Sequence, residues 1–176
     1  MTDPHVTDFA LALARVWLGG MIFAHGWRHL TRVRNGRGIA SWFESLGLHP
    51  GQFHAWNVTL TEVGVGVLLI AGLLTPLAYG GLCALMLVAL FTNHLKQGFW
   101  INQSPEGWEY VGTVAALSIA LGTLGPGLWS LDHVFGLDFP FQNGTALLIS
   151  ALLGLGGTAV FLLAFWRRPA KDESAA

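Results

Sequence analysis

Residues 9–30 read FALALARVWLGGMIFAHGWRHL. The stretch is long enough to cross a bilayer, for which about 20 mainly apolar residues suffice. It nevertheless carries Arg15, His25, Arg28 and His29. Each ionisable group at the centre of a span costs about 2.5–3.5 kcal/mol on insertion scales, so such groups persist by snorkelling, pairing or acting. At about 9 Å below the interface by helix rise, Arg15 is within snorkelling range.

The next three spans repeat this pattern of an apolar run with a polar outlier. Of 176 residues, 53% are hydrophobic and 11% charged, against about 25% charged in a soluble domain. The mean hydropathy is +0.54. The expected fold is therefore all-α, a polytopic membrane helical bundle. A net charge of −1 and the absence of a basic patch give no sign of nucleic acid as a partner. The single Cys83 forms no C-x-x-C pair. The acidic start MTDPHVTD lacks a basic n-region, so the first span reads as retained.

Taken in order, residues 1–8 are a polar leader in which Thr7 or Asp8 is placed to cap the first helix. Span one follows, about 9–30, with Gly19, Gly20 and Ala24 suited to close helix approach. Loop 31–55 is basic, through Arg32, Arg34 and Arg37. Within it Ile39, Trp42, Phe43 and Leu46 recur at helical spacing, which predicts a short interfacial helix stopped by Gly47. Span two, about 56–74, has one charge, Glu62, with Gly64 and Gly66 as packing residues. The Thr75-Pro76 turn leads into span three, about 77–95, which ends in Asn93-His94. After the polar connector 96–107, span four covers about 108–124 and opens with Glu109-Tyr110. Residues 125–144 form an aromatic, Gly/Pro-punctuated loop. Span five, 145–166, is uncharged, and a tail runs from 167 to 176.

Every Lys and Arg except Arg15 then falls on one side: Arg28, Arg32, Arg34, Arg37, Lys96, Arg167, Arg168 and Lys171. The positive-inside rule makes that side cytoplasmic and the N-terminus external. This suits a multi-pass protein of the plasma (inner) membrane. Trp27, Trp56, Trp100, Trp108 and Trp166 mark the same boundary as an aromatic belt.

Alternation of the spans places His25, Glu62, His94 and Glu109 in one leaflet, from four different helices. His29 is four residues beyond His25 and shares its face. Imidazole and carboxyl groups together suit a metal, or proton exchange at a quinone headgroup. We take His25, Glu62, His94 and Glu109 as the candidate catalytic set, and His25, His29, Glu62, His94 and Trp27 as the candidate cofactor-side set. His29 by itself reads more simply as a structural group. The plain alternative for the whole cluster is a His–Glu network that fixes helix packing. No H-x-x-E or E-x-x-H pair within a helix supports a metal, and the metal assignment stays open. Arg15 and Asp132, in the opposite half, are expected to form a structural ion pair.

At these residues the chain resembles the DoxX family over about 9–136. The resemblance rests on Leu13, Arg15 and Gly19, and on His25-Gly26 followed by a basic position. It continues through Glu62, Gly72-Leu-Leu-Thr75-Pro76 and His94 with Gly98-Phe99. It ends with Glu109-Tyr110, Gly125-Pro126-Gly127 and Ser130-Leu131-Asp132. It implies a four-helix core with loop 31–55, to which 137–166 adds a fifth transmembrane helix. It also implies a link to redox systems. DoxD-type subunits are associated with thiosulfate:quinone oxidoreduction, and some actinobacterial members resemble scaffolds joining a superoxide dismutase to a sulfurtransferase. Three expectations follow. The chain is a membrane subunit of a quinone-linked oxidoreductase, or a non-catalytic scaffold for a redox or detoxification complex, or a metal or small-molecule transporter. The partners are the bilayer and redox-complex subunits, with the oligomeric state open. No G-x-G-x-x-G follows a strand, so no nicotinamide or flavin domain is expected.

Overall fold

Inside a bilayer the backbone must satisfy its own hydrogen bonds, which leaves helices as the solution for apolar segments of this length. The computed structural model describes residues 4–36, 38–138 and 141–169, and its architecture is all-α. α1 is Pro4–Asn35, α2 Gly38–Ser45, α3 Gly51–Ala71 and α4 Thr75–Ala89. α4 continues through a π-helical turn, Leu90–His94, and a 3₁₀ turn, Leu95–Gln97. α5 is Glu109–Leu124, α6 Leu131–Val134, α7 Asn143–Ala151 and α8 Gly157–Phe165, with a π-helical turn at Leu152–Gly156 joining the last two.

Among the described residues, four helical stretches are long and apolar enough to span a membrane: His5–Asn35, Gly51–Ala71, Thr75–Gln97 and Asn143–Phe165. α5 has 16 residues, or about 24 Å by helix rise. That is short of the roughly 30 Å hydrocarbon core. The expected tail lies outside the described residues from 170 onward, as does Arg37.

Two expectations near the N-terminus change. The first helix starts at Pro4, so there is no separate polar leader across residues 4–8, and neither Thr7 nor Asp8 is its cap. Asp8 is instead buried within α1, and its Oδ1 accepts from the Leu128 backbone N–H at 2.9 Å. The carboxylate thus serves the 125–142 loop rather than its own helix end.

The core forms where α1, α3, α4 and α5 meet, around Ile22, Leu69, Tyr79, Leu82 and Val111. In a membrane, packing rather than water exclusion drives helix association. The α1–α3 contact shows how close that packing is. A Cβ on Gly19 would stand 2.9 Å from the Gly66 carbonyl, and one on Gly26 would stand 2.8 Å from the Val63 nitrogen. Gly19, Gly26 and Gly66 therefore make the contact, whereas Gly20 and Gly64 face open space.

The two ends of the bundle are tied differently. At one end, α2 rests on the start of α3, where the Gly51 N–H donates to Glu44 Oε1 at 3.1 Å. Ile39, Phe43, Leu48 and Ala55 form a small second core there. The last helix returns to this end. Trp166 Nε1–H donates to the Leu46 carbonyl and the Arg167 N–H to the Gly47 carbonyl, both at 2.9 Å.

At the other end, both Asp132 carboxylate oxygens cap α4. They accept from the Leu74 and Thr75 N–H groups at 2.7 and 2.8 Å, satisfying donors that a helix N-terminus leaves open. Arg15 donates to the carbonyls of Trp129 at 2.7 Å and Leu69 at 3.5 Å. The expected Arg15–Asp132 ion pair is therefore not a direct contact. Each group spends its hydrogen bonds on backbone, Arg15 on the last turn of α3 and the 125–130 loop and Asp132 on the start of α4, and the charges meet only at longer range.

Candidate functional site

Gly26 brings α3 against α1: a Cβ there would come within 2.9 Å of the Glu62 Cβ. This places Glu62 within reach of the next turn of α1. His29 Nδ1 lies 2.7 Å from Glu62 Oε2, with the side chains 20% and 6% exposed. Two costly groups thus share one pair in the half of the bundle that carries α2.

The pair borders a cavity of about 100 Å³. From α3 the cavity receives His54, Val58 and Glu62, at intervals of four residues, which puts them on one face. From α4 it receives Thr92, Asn93 and His94. These lie on the π-helical turn, whose wider coil shifts the side-chain register that an α-helix would continue. α2 and the last helix complete the wall with Trp42, Phe43 and Phe161.

His54 is fully buried. Its Nε2 is 3.3 Å from the His49 carbonyl, while its Nδ1 has no hydrogen-bond partner. Phe161 and Phe165 approach the ring edge-on at 5.5 and 5.2 Å. An unpartnered polar atom in such a site costs about 1–3 kcal/mol unless something fills the role. Sequence reading passed over His54, although its eight-residue spacing from Glu62 on a helix was a usable signal.

His94 stands at the rim. Its Nδ1 is 3.0 Å from the Glu106 carbonyl, and the Asn93 amide is 3.2 Å from its Nε2. The structure thus brings His29, Glu62 and His94 around one space and adds His54, Thr92 and Asn93.

The remaining candidates lie outside that space. His25 is exposed, and its ring stacks on Tyr110 at 6.4 Å. Tyr110 is itself close enough to Glu62 to interact electrostatically, so His25 neighbours the cluster without lining the cavity. Glu109 Oε2 accepts from the Ile101 N–H at 3.1 Å and holds the 98–108 connector. Trp27 is 57% exposed and stacks on Phe23. Among the described residues no group of three His, Cys, Asp or Glu side chains is arranged to hold a metal ion.

His29 has a second neighbourhood. With Arg32, Asn35, Gly36, Gly38, Ile39 and Trp42 it lines an open cleft of about 570 Å³ between the end of α1 and α2. One imidazole therefore borders both the open cleft and the cavity that holds Glu62.

Residues 10–95 match the DoxX family model. No curated protein and no solved structure matches the chain. The matched stretch holds His25, His29, His54, Glu62 and His94, and ends before Glu109, Asp132 and the last helix.

Proposed function

Because residues 10–95 form a DoxX domain within a multi-pass helical bundle, we propose that the chain is a membrane subunit of a redox system that docks a quinone or quinol headgroup. The observation that carries this reading is the cavity bordered by the His29–Glu62 pair and by the unpartnered Nδ1 of His54.

The donor set fits such a ring. By helix rise the Cα atoms of His54 and Glu62 are about 12 Å apart, and their side chains enter one cavity. That suits a flat ring with oxygens on opposite edges. His54 Nδ1 bonds one ring oxygen; the His29–Glu62 pair meets the other and exchanges its proton with the open cleft. Asn93 and His94 set the rim. A cavity of about 100 Å³ is below the roughly 300 Å³ of a drug-sized site, so it takes a headgroup and not a whole lipid. When bound, a quinone or quinol would supply two-electron, two-proton chemistry: the quinone takes up two electrons and two protons, the quinol gives them up, and a partner subunit is the other party to the electron exchange. The Lys/Arg asymmetry supports a cytoplasmic-leaflet position for this cavity, with the N-terminus outside, in a protein of the plasma (inner) membrane.

A second reading is a non-catalytic scaffold. It is supported by the outward apolar face of α1, where Trp17 is 73% exposed beside Leu13, Val16 and Met21. Metal or small-molecule transport is a third reading.

The full chain in nanodiscs, titrated with a benzoquinone, separates these. Glu62→Gln and His54→Phe are each expected to weaken ring binding at least tenfold while the protein stays folded. Unchanged binding in both variants overturns the quinone reading. Capture of a soluble redox enzyme by a chain that binds no quinone favours the scaffold.

A further inference from the structure

A second space of about 180 Å³ lies between α3, α4 and the last helix. Asn57, Thr61, Gly81, Ala84, Leu153 and Gly157 line it. It shares Val58, Leu85, Val88 and Phe161 with the polar cavity. The two spaces thus meet along one wall.

Helix rise gives the direction of this groove. It extends about 6 Å along α3 from Asn57 to Thr61, about 10 Å along α4 from Val88 to Gly81, and about 12 Å along the last helix from Phe161 to Leu153. The groove therefore runs parallel to the spans. It overlaps the polar cavity along α3 and continues past it toward the bilayer midplane along α4 and the last helix, as a lipid tail does. Its space is left by missing side chains. A Cβ on Gly157 would meet Ala84 and Leu153 only at 4.0 Å.

The geometry points to a two-part binding site: a ring headgroup in the His/Glu cavity, and its long apolar tail in the groove between α3, α4 and the last helix. This rests on the quinone reading above and adds the chemical class of the ligand, a tailed and not a water-soluble quinone. It also assigns the last helix, outside the matched family region, the role of forming the tail wall. At about 180 Å³ the groove is too small for a partner helix, which is about 10 Å across. The wall of Val58, Leu85, Val88 and Phe161 that it shares with a polar, hydrogen-bonding cavity favours the tail of the molecule held there.

The test uses the full chain in nanodiscs with three probes: a benzoquinone bearing a decyl tail with a diazirine on it, the same ring without a tail, and a phospholipid with a diazirine on its acyl chain. The tailed quinone is expected to label Ala84, Leu153 and their neighbours, mapped by mass spectrometry, and an untagged tailed quinone is expected to displace it. Gly157→Leu and Ala84→Leu, on different helices, should each cut that labelling at least fivefold and leave binding of the tail-less ring unchanged. Labelling spread over the outward helix faces, or unaltered in both variants, overturns the tail groove. So does labelling by the phospholipid probe that quinone does not displace. Loss of tail-less ring binding in Glu62→Gln together with any of these failures sinks the groove alone. Tail-less ring binding that is indifferent to both Glu62→Gln and His54→Phe sinks the headgroup reading, and the groove assignment falls with it.

Discussion

His29 Nδ1 stands 2.7 Å from Glu62 Oε2, and of the two residues only His29 also lines the open cleft between α1 and α2. The carboxyl group is thus reached from the cleft through the imidazole. Breaking such a pair leaves a polar group stranded, whereas replacing both partners with apolar groups removes the problem. His29→Leu and Glu62→Leu are each expected to cost about 1–3 kcal/mol. The double variant should be at least as stable as either single one. Thermal unfolding in one detergent checks the order; strictly additive losses would show that the pair is not coupled.

The close α1–α3 contact yields a sharper comparison. Gly26→Ala places a methyl group 2.8 Å from the Val63 nitrogen and 2.9 Å from the Glu62 Cβ. It should push the helices apart, separate His29 from Glu62 and weaken quinone binding. Gly20→Ala and Gly64→Ala meet nothing within 4 Å and should leave binding unchanged and stability equal or slightly raised, since Ala suits a helix interior better than Gly. Equal behaviour of the three variants would refute the assigned contact.

At the opposite end Asp132 holds the start of α4 and Arg15 holds the neighbouring loop. Asp132→Ala removes the acceptor for two N–H groups, at about 1–3 kcal/mol for each donor left unpaired. Gly72→Ala is also expected to destabilise. Its φ is +66°, and the new methyl group would fall on the Arg15 guanidinium. Unfolding midpoints measure both. Neither change should alter headgroup affinity in the protein that remains folded, because the site lies at the other end of the bundle.

The clasp between the last helix and the α2–α3 turn gives a fourth expectation. Gly47 has φ +86°, and a side chain there would strike the Arg167 carbonyl. Gly47→Ala should release the clasp, as should Trp166→Phe, which loses the donor to Leu46 at a cost of about 1 kcal/mol. Hydrogen exchange at residues 160–169 should rise in both variants. Protection equal to that of the parent chain would mean that the clasp does not hold the helix.

Much of the fold was legible because a bilayer admits few solutions. The apolar runs and the small helix at Gly38–Ser45 were readable from spacing, and so was a break before the third span, but Thr75 and Pro76 open α4 and the turn itself lies at residues 72–74. The helix ends were not readable. Apolar pattern reports where a helix crosses lipid, and α1 and α3 each extend several residues beyond the apolar run, so Asp8 was misread as a cap. The site was legible in part. Counting outliers found Glu62 and His94, but depth along a helix does not give azimuth. His25 and His29 share a helical face, yet His25 stacks on α5 while His29 pairs with α3.

What the sequence by itself determined is a polytopic helical bundle with His25, Glu62, His94 and Glu109 toward one end and Arg15 toward the other, because ionisable groups are too costly to scatter through the middle of the lipid. Only the tertiary structure decided which of them meet. Pairing depends on close approach at Gly26, on the shifted register of the π-helical turn before His94, and on the return of the last helix over His54. Each of these is a contact between distant parts of the chain, and local spacing does not encode it.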